Sequence, residues 1–101
     1  WTKQTIRAHY EPWIALNNTG VPVHIGEFGC YDTVDNTLAL AWFKDILSLY
    51  QELKWGYALW NLQGPFGIIG HRRANTRWEK IHGYTVDRDL YELLIEYRFK
   101  E

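Results

Sequence analysis

The sequence predicts an α/β fold whose centre is a βαβ unit with two parallel strands. Residues 23–28 are mostly apolar and lie between Pro22 and Gly29, which is typical of a short buried strand. Residues 55–62 (WGYALWNL) form a second apolar run of the same character. The segment between the two runs is long enough for a helical crossover, and such a crossover joins parallel strands.

Three amphipathic segments predict helices around these strands. The first spans residues 2–18, with a kink or a restart at its proline. The second is capped by Asp35 or Asn36, and the third runs from about Asp87 to Tyr97. The apolar residues that we expect to face inward are Leu38, Trp42, Ile46, Leu49 and Leu53 on the second helix, and Leu90, Leu93, Leu94 and Tyr97 on the third.

Residues 63–86 are rich in Gly, Arg and His and predict a long irregular connection. Within it, residues 70–73 (GHRR) add positive charge. Two interpretations are open: an altered contact with substrate, or a solvated loop. We favour the solvated loop, because loops vary in sequence more than the elements that they connect.

Two parallel strands alone would leave both outer edges of the sheet unpaired. Unpaired apolar edges pair readily with further strands, so the sequence predicts that this unit is part of a larger sheet or barrel. In a chain of 101 residues, those further strands have to come from other residues or from another copy.

Charge and metal-ligand content exclude several classes of function. The net charge is −1, which gives no indication of nucleic acid or an anionic membrane as partner. The single cysteine, Cys30, is interpreted as a small packed residue rather than a nucleophile. The histidines lack the close spacing of a zinc site, so we predict no metal and no cofactor; they are His9, His24, His71 and His82.

Glu27 is the residue whose position indicates chemistry. It ends the first apolar run, and reactive groups in parallel α/β sheets lie at the C-terminal ends of strands. Gly26 and Gly29 flank it and permit close approach of another group. Trp60 lies near the end of the next strand, so we expect a carboxylate beside an aromatic ring, a pairing that suits a sugar. The alternative is a glutamate that simply begins a solvated loop.

Three stretches follow one another along the chain: residues 21–31 (VPVHIGEFGCY), residues 56–68 (GYALWNLQGPFGI) and residues 82–88 (HGYTVDR). Taken in this order they resemble glycoside hydrolase family five, the family of many cellulases and related β-glycanases. The resemblance implies a (β/α)₈ barrel, also called a TIM barrel. It implies that residues 1–101 are the C-terminal portion of one catalytic domain, from helix six to helix eight with strands seven and eight.

The resemblance also implies roles for the site residues. Glu27 would be the nucleophile of a retaining β-glycosidase, and Trp60 would be the platform for the sugar at the cleavage point. The acid/base of the family lies in an Asn-Glu-Pro run, which this sequence lacks. The chain is therefore expected to be inactive alone.

The implied enzyme is endo-β-1,4-glucanase-like and acts on a β-glucan or a related polysaccharide. Its implied partner is the N-terminal remainder of the barrel, and the resemblance suggests a secreted protein. Two alternatives stay open: a self-associating barrel fragment with a structural role, and a module that binds carbohydrate without catalysis. The aromatic content of 17% is compatible with sugar stacking in either the enzyme or the binding module.

Overall fold

The computed structural model describes residues 1–98 and confirms the α/β class and the βαβ unit. Strands β1 (His24–Phe28) and β2 (Gly56–Leu59) pair in parallel and are joined by helix α3 (Asn36–Leu53), and β3 (Trp78–Ile81) pairs with β4 (Tyr84–Asp87) in antiparallel fashion. No helix in this part of the chain is long and apolar enough to cross a membrane. The elements in order are α1 (Lys3–His9), α2 (Glu11–Asn18), β1 (His24–Phe28), α3 (Asn36–Leu53), β2 (Gly56–Leu59), β3 (Trp78–Ile81), β4 (Tyr84–Asp87) and α4 (Arg88–Glu96).

The predicted break in the first helical segment is confirmed. Tyr10 ends α1 and begins α2, and Pro12 lies in the first turn of α2. Proline is tolerated there because the backbone N–H that it lacks would have no partner within the helix. The missing N–H of Pro12 therefore costs α2 no hydrogen bond.

Residues next to the central helix α3 determine where it begins and where it ends. Asp35 caps its start, since a carboxylate oxygen accepts a hydrogen bond of 2.8 Å from the backbone N–H of Thr37. Lys54 ends it in the left-handed conformation, with φ of 58°. Of the two predicted capping residues, Asp35 is confirmed.

The buried face of α3 differs in part from the predicted one. Ile46 and Leu49 are buried as expected, but Leu38 is 51% exposed. The most fully buried side chains are instead Phe43, Leu47 and Tyr50. Apolar residues cover so much of this helix that more than one stripe fits a helical repeat, and periodicity alone could not select the right one.

A cluster of aromatic rings joins α3 to the parallel strands. The ring of Phe28, at the end of β1, packs edge-on against three rings: Phe43 at 5.9 Å, Tyr50 at 5.5 Å and Tyr57 at 5.4 Å between centroids. The hydroxyl groups of Tyr50 and Tyr10 lie 2.6 Å apart, which ties the turn between α1 and α2 to the same cluster. The aromatic residues therefore build the core that holds β1 against α3.

The prediction that residues 63–86 are irregular throughout was wrong, because they include the hairpin β3–β4. The turn between its strands consists of His82 and Gly83, both with positive φ, at 51° and 84°. This is the backbone of a two-residue hairpin turn, in which Asn-Gly is the usual sequence signal. A histidine in place of the asparagine weakens that signal. The strands are also largely exposed, so they carry little apolar alternation.

We predict that two leucines on α3 differ sharply in their contribution to stability. Leu47→Ala should lower the free energy of unfolding by about 2–5 kcal/mol, because it leaves a cavity in the core. Leu38→Ala, the matched control, should change it by less than about 0.5 kcal/mol. Urea denaturation followed by tryptophan fluorescence measures both values. Equal losses in the two variants would contradict the buried face described here.

Candidate active site

A β-bulge in β1 determines which way Glu27 faces. Ile25 pairs with Tyr57 and Phe28 pairs with Leu59, so β1 has one more residue than β2 between these pairs. As a result Ile25 and Phe28 both pack on the core side, although they are three residues apart. Glu27 is exposed on the opposite side. With regular pairing Glu27 would lie opposite Leu59 and would face α3.

Trp60 lies on the same face as Glu27, at the end of the neighbouring strand. Its backbone N–H donates a hydrogen bond of 2.8 Å to the carbonyl oxygen of Phe28, which joins the two strand ends. Leu59 packs in the core, and successive side chains of a strand point to opposite faces. The ring of Trp60 is accordingly turned away from α3 and is 48% exposed. The structure thus brings the two predicted site residues to adjacent strand ends.

The carboxylate of Glu27 has no polar partner within residues 1–98. No side chain of that region donates a hydrogen bond to it or forms an ion pair with it. No three His, Cys, Asp or Glu side chains of the same region are close enough together to hold a metal ion. Glu27 is exposed on the open face of the sheet.

The loop after β2 covers the segment that follows Glu27. The side chain of Phe66 lies over Gly29, where an added Cβ would come within 3.2 Å of the Cβ of Phe66. Gly29 therefore permits the close approach that the sequence predicts. Gly26 does not have this function, since a Cβ there would meet nothing within 4 Å. Gly26 and Glu27 are instead the two residues of β1 that lie within the bulge.

The interpretation of residues 70–73 as a solvated loop was wrong for two of the four residues. His71 and Arg73 are buried, with exposures of 4% and 3%. Both contact the buried carboxylate of Asp87, with 2.8 Å from His71 Nε2 and 3.7 Å from Arg73 Nη2 to Asp87 Oδ2. A buried cation needs a buried anion, and no local sequence pattern identifies Asp87 as that partner.

Asn36 completes this buried polar cluster, which consists of Asn36, His71, Arg73 and Asp87. Its amide nitrogen donates to Asp87 Oδ2 at 3.1 Å, and its amide oxygen accepts from Arg73 Nε at 2.7 Å. Asp87 also caps α4 by accepting from the backbone N–H of Leu90. The cluster therefore ties together the loop after β2 and the starts of α3 and α4.

The cluster lowers the pKa of Asp87. Burial by itself raises that pKa, but hydrogen bonds from His71, the Leu90 backbone and Asn36 outweigh it, and the pKa lies below its ordinary value of 3.8. Asp87 is therefore a carboxylate at neutral pH.

Cys30 packs against the core, as predicted. Burial raises the pKa of its thiol, and the nearby charge of Arg73 opposes that effect only in part. A thiol with a raised pKa is a poor nucleophile at neutral pH, which agrees with a packing role.

The solved structures to which this chain is similar are glycoside hydrolases. A glycoside hydrolase superposes with a TM-score of 0.93 and 52% sequence identity, over 97% of this chain and 30% of that one. No protein-family model and no curated protein matches the chain. The resemblance to glycoside hydrolases that the sequence predicts is thereby confirmed.

More distant solved structures are cellulases. Cel5A of Thermotoga maritima in complex with cellobiose has a TM-score of 0.71 at 19% identity, over 91% of this chain and 27% of that one. Cel5A in complex with mannotriose has a TM-score of 0.72 at 20% identity, over 93% and 29%. At these identities the likeness concerns the fold. The chain spans no more than 30% of the length of any of these three proteins.

We predict that Asp87→Asn lowers the free energy of unfolding at pH 7 by about 3–5 kcal/mol, because it leaves the buried charge of Arg73 without its partner. Asp89→Asn is the control, since Asp89 forms only exposed ion pairs, and it should cost less than about 1 kcal/mol.

The same variant should change how stability depends on pH. Because the folded-state pKa of Asp87 is lowered, its stabilising contribution is complete above the unfolded-state pKa of about 4 and is lost as the pH falls through the folded-state value. Urea denaturation between pH 2.5 and pH 7 should therefore show a flatter profile in Asp87→Asn than in the wild type. A profile parallel to that of the wild type would mean that protonation of Asp87 is not coupled to unfolding.

Proposed function

We propose that this chain is the C-terminal portion of a retaining, endo-β-1,4-glucanase-like glycosidase. In this proposal residues 1–101 belong to a single (β/α)₈ catalytic domain. Helices α1 and α2 correspond to helix six, β1 to strand seven, α3 to helix seven, β2 to strand eight and α4 to helix eight. The hairpin β3–β4 is then an insertion between strand eight and helix eight.

The observation that carries the proposal is the placement of Glu27 and Trp60 on one face, at adjacent strand ends. On that face the carboxylate of Glu27 can attack the anomeric carbon of a sugar, and the bond from that carbon to the leaving oxygen breaks. A second carboxylic acid about 5 Å away protonates the leaving oxygen and later activates the water that releases the product. Glu27 is thus one half of a catalytic pair.

Trp60 supplies the surface on which the sugar lies. The C–H face of a pyranose packs on an indole ring. This contact excludes water and holds the sugar beside the carboxylate of Glu27. A hexose chain is the substrate class that fits this arrangement. Cellobiose and mannotriose, the ligands of the distant Cel5A structures, are both oligosaccharides of this class.

The remainder of the barrel is the proposed partner of the sheet β1–β2. Within residues 1–98 this sheet has two strands, so its outer edges have no neighbouring strand. Large apolar side chains near its strand ends are also exposed, among them Val21 at 41% and Leu62 at 69%. Strands from the N-terminal remainder would pair with the edges and contribute the acid/base residue. The chain alone should be inactive.

A chimera tests the proposal with the related glycoside hydrolase. The segment of that protein which matches this chain is replaced by this chain, and hydrolysis of a soluble β-1,4-glucan is measured. We predict activity in the chimera, and a loss of about 10³-fold or more in kcat for Glu27→Gln, because the amide cannot form the glycosyl-enzyme. Glu96→Gln, on the exposed side of α4, should retain full activity.

Three results of that experiment would contradict the proposal. Full activity in Glu27→Gln would mean that another residue is the nucleophile. Binding of cello-oligosaccharides without turnover would favour a module that only binds carbohydrate. An inactive chimera, together with stable oligomers of the 101-residue chain, would favour a self-associating structural role.

We predict that Trp60→Ala in the same chimera weakens substrate binding by about 1–2 kcal/mol, or about 5- to 30-fold in KM, because the stacking surface is lost. Trp60→Phe should recover part of this loss. Trp13→Ala removes a tryptophan of similar exposure on α2 and should leave KM unchanged. An unaltered KM in Trp60→Ala would show that this ring is not the platform.

A further inference from the structure

The Arg73 side chain joins the buried polar cluster to the segment that follows Glu27. Its guanidinium is fully buried, and Nη1 donates a hydrogen bond of 2.8 Å to the backbone carbonyl of Cys30. Cys30 lies three residues after Glu27. We propose that Arg73 is a positioning residue for Glu27, acting through the Cys30 carbonyl. This inference rests on the proposed function of Glu27.

The strand end that carries Glu27 needs support from outside the sheet. The bulge interrupts the regular pairing between Ile25 and Phe28, so the ladder with β2 does not by itself fix the intervening backbone. Beyond the bulge, Phe28 is held by the aromatic core and Gly29 lies under Phe66. The hydrogen bond from Arg73 to Cys30 is the next restraint along the chain. Together these contacts set the direction in which the strand leaves the sheet.

Arg73 is itself held rigidly enough to act as a support. Asn36 accepts from its Nε, and the Asp87 carboxylate lies beside its Nη2. Its guanidinium also lies over the ring of Phe43, 5.8 Å from the centroid, and the same ring packs against Phe28. A planar guanidinium fixed at several atoms holds its remaining donor in one direction. The support therefore reaches the strand end both through the Cys30 carbonyl and through Phe43.

A purely structural role for Arg73 makes a different prediction. If Arg73 only stabilises the fold, a variant that is fully folded at the assay temperature should have normal chemistry. If it positions Glu27, the folded variant should bind substrate normally but form the glycosyl-enzyme slowly, since a displacement of about 1 Å at a reacting group can cost about 10²-fold in rate. The rate of the nucleophilic step separates these roles.

The chimera described above allows that step to be measured alone, with a 2,4-dinitrophenyl 2-deoxy-2-fluoro-β-cellobioside as the probe. The Glu27 carboxylate forms a bond to the anomeric carbon, the bond to the dinitrophenyl oxygen breaks, and dinitrophenolate leaves with the electron pair. This leaving group needs no proton, so the acid/base residue does not contribute to the rate. Released dinitrophenolate gives the rate, and peptide mass analysis identifies the labelled residue.

We expect Arg73→Lys to lower the labelling rate constant at saturating probe by about 10- to 100-fold, with the probe concentration at half-saturation unchanged within about threefold. Lysine keeps the charge but cannot reproduce the directed donors of the guanidinium. Arg72→Lys is the matched control, because Arg72 is the exposed neighbour in the same loop, and its rate should equal that of the wild type. Near-ultraviolet circular dichroism and Tm establish that each variant is folded.

A folded Arg73→Lys variant that is labelled at the wild-type rate would overturn the inference. If that variant does not fold, Arg73→Met is used, since it keeps much of the side-chain volume over Phe43 and removes the hydrogen bond to Cys30. Failure of both variants to fold would assign Arg73 a purely structural role. The proposed function fails in a different way: the probe would label a residue other than Glu27, or would still label Glu27→Gln.

Discussion

The packing of the Phe28 ring against α3 is the interaction on which the rest of the structure depends. The ring contacts Phe43 and Tyr50 on the helix and Tyr57 on β2, so one side chain joins the three elements of the βαβ unit. Such a ring stabilises the fold in two ways: it removes apolar surface from water, and its edge-on contacts have the geometry that aromatic pairs prefer. It also fixes which face of β1 meets the helix, and therefore which face is left for Glu27.

The buried polar cluster adds specificity to this apolar core. Buried ion pairs contribute little net stability, because desolvation offsets much of the attraction between the charges, whereas loss of one partner is costly. The cluster of Asn36, His71, Arg73 and Asp87 therefore selects one arrangement of the loop after β2. That arrangement brings a guanidinium to the carbonyl of Cys30, close in sequence to the proposed nucleophile. The contacts that hold this loop in place are therefore also the ones that reach the segment after Glu27.

Much of the fold could be predicted from local signals, and the exceptions have physical causes. The two strands, the Asp35 cap and the restart near Pro12 depend on residues that are adjacent in sequence, so the sequence shows them directly. The burial of Arg73 depends on Asp87, and a pairing across that distance leaves no local pattern. The hairpin lacks its usual sequence signal, because His82 occupies a turn position where asparagine is usual. For the site, the strand-end positions of Glu27 and Trp60 were predictable, but the bulge that orients Glu27 was not.

The bulge breaks the regular alternation of side chains along β1. In a regular strand, residues two or four positions apart lie on the same face. Ile25 and Phe28 are three positions apart, yet both lie on the core face. Two residues, Gly26 and Glu27, lie between them where β2 has only Ala58. Comparisons of sequences that assume strict alternation would assign the carboxylate to the helix side and the aromatic ring to the open side. The number of residues in this strand is consequently as much a part of the site as their chemical identity.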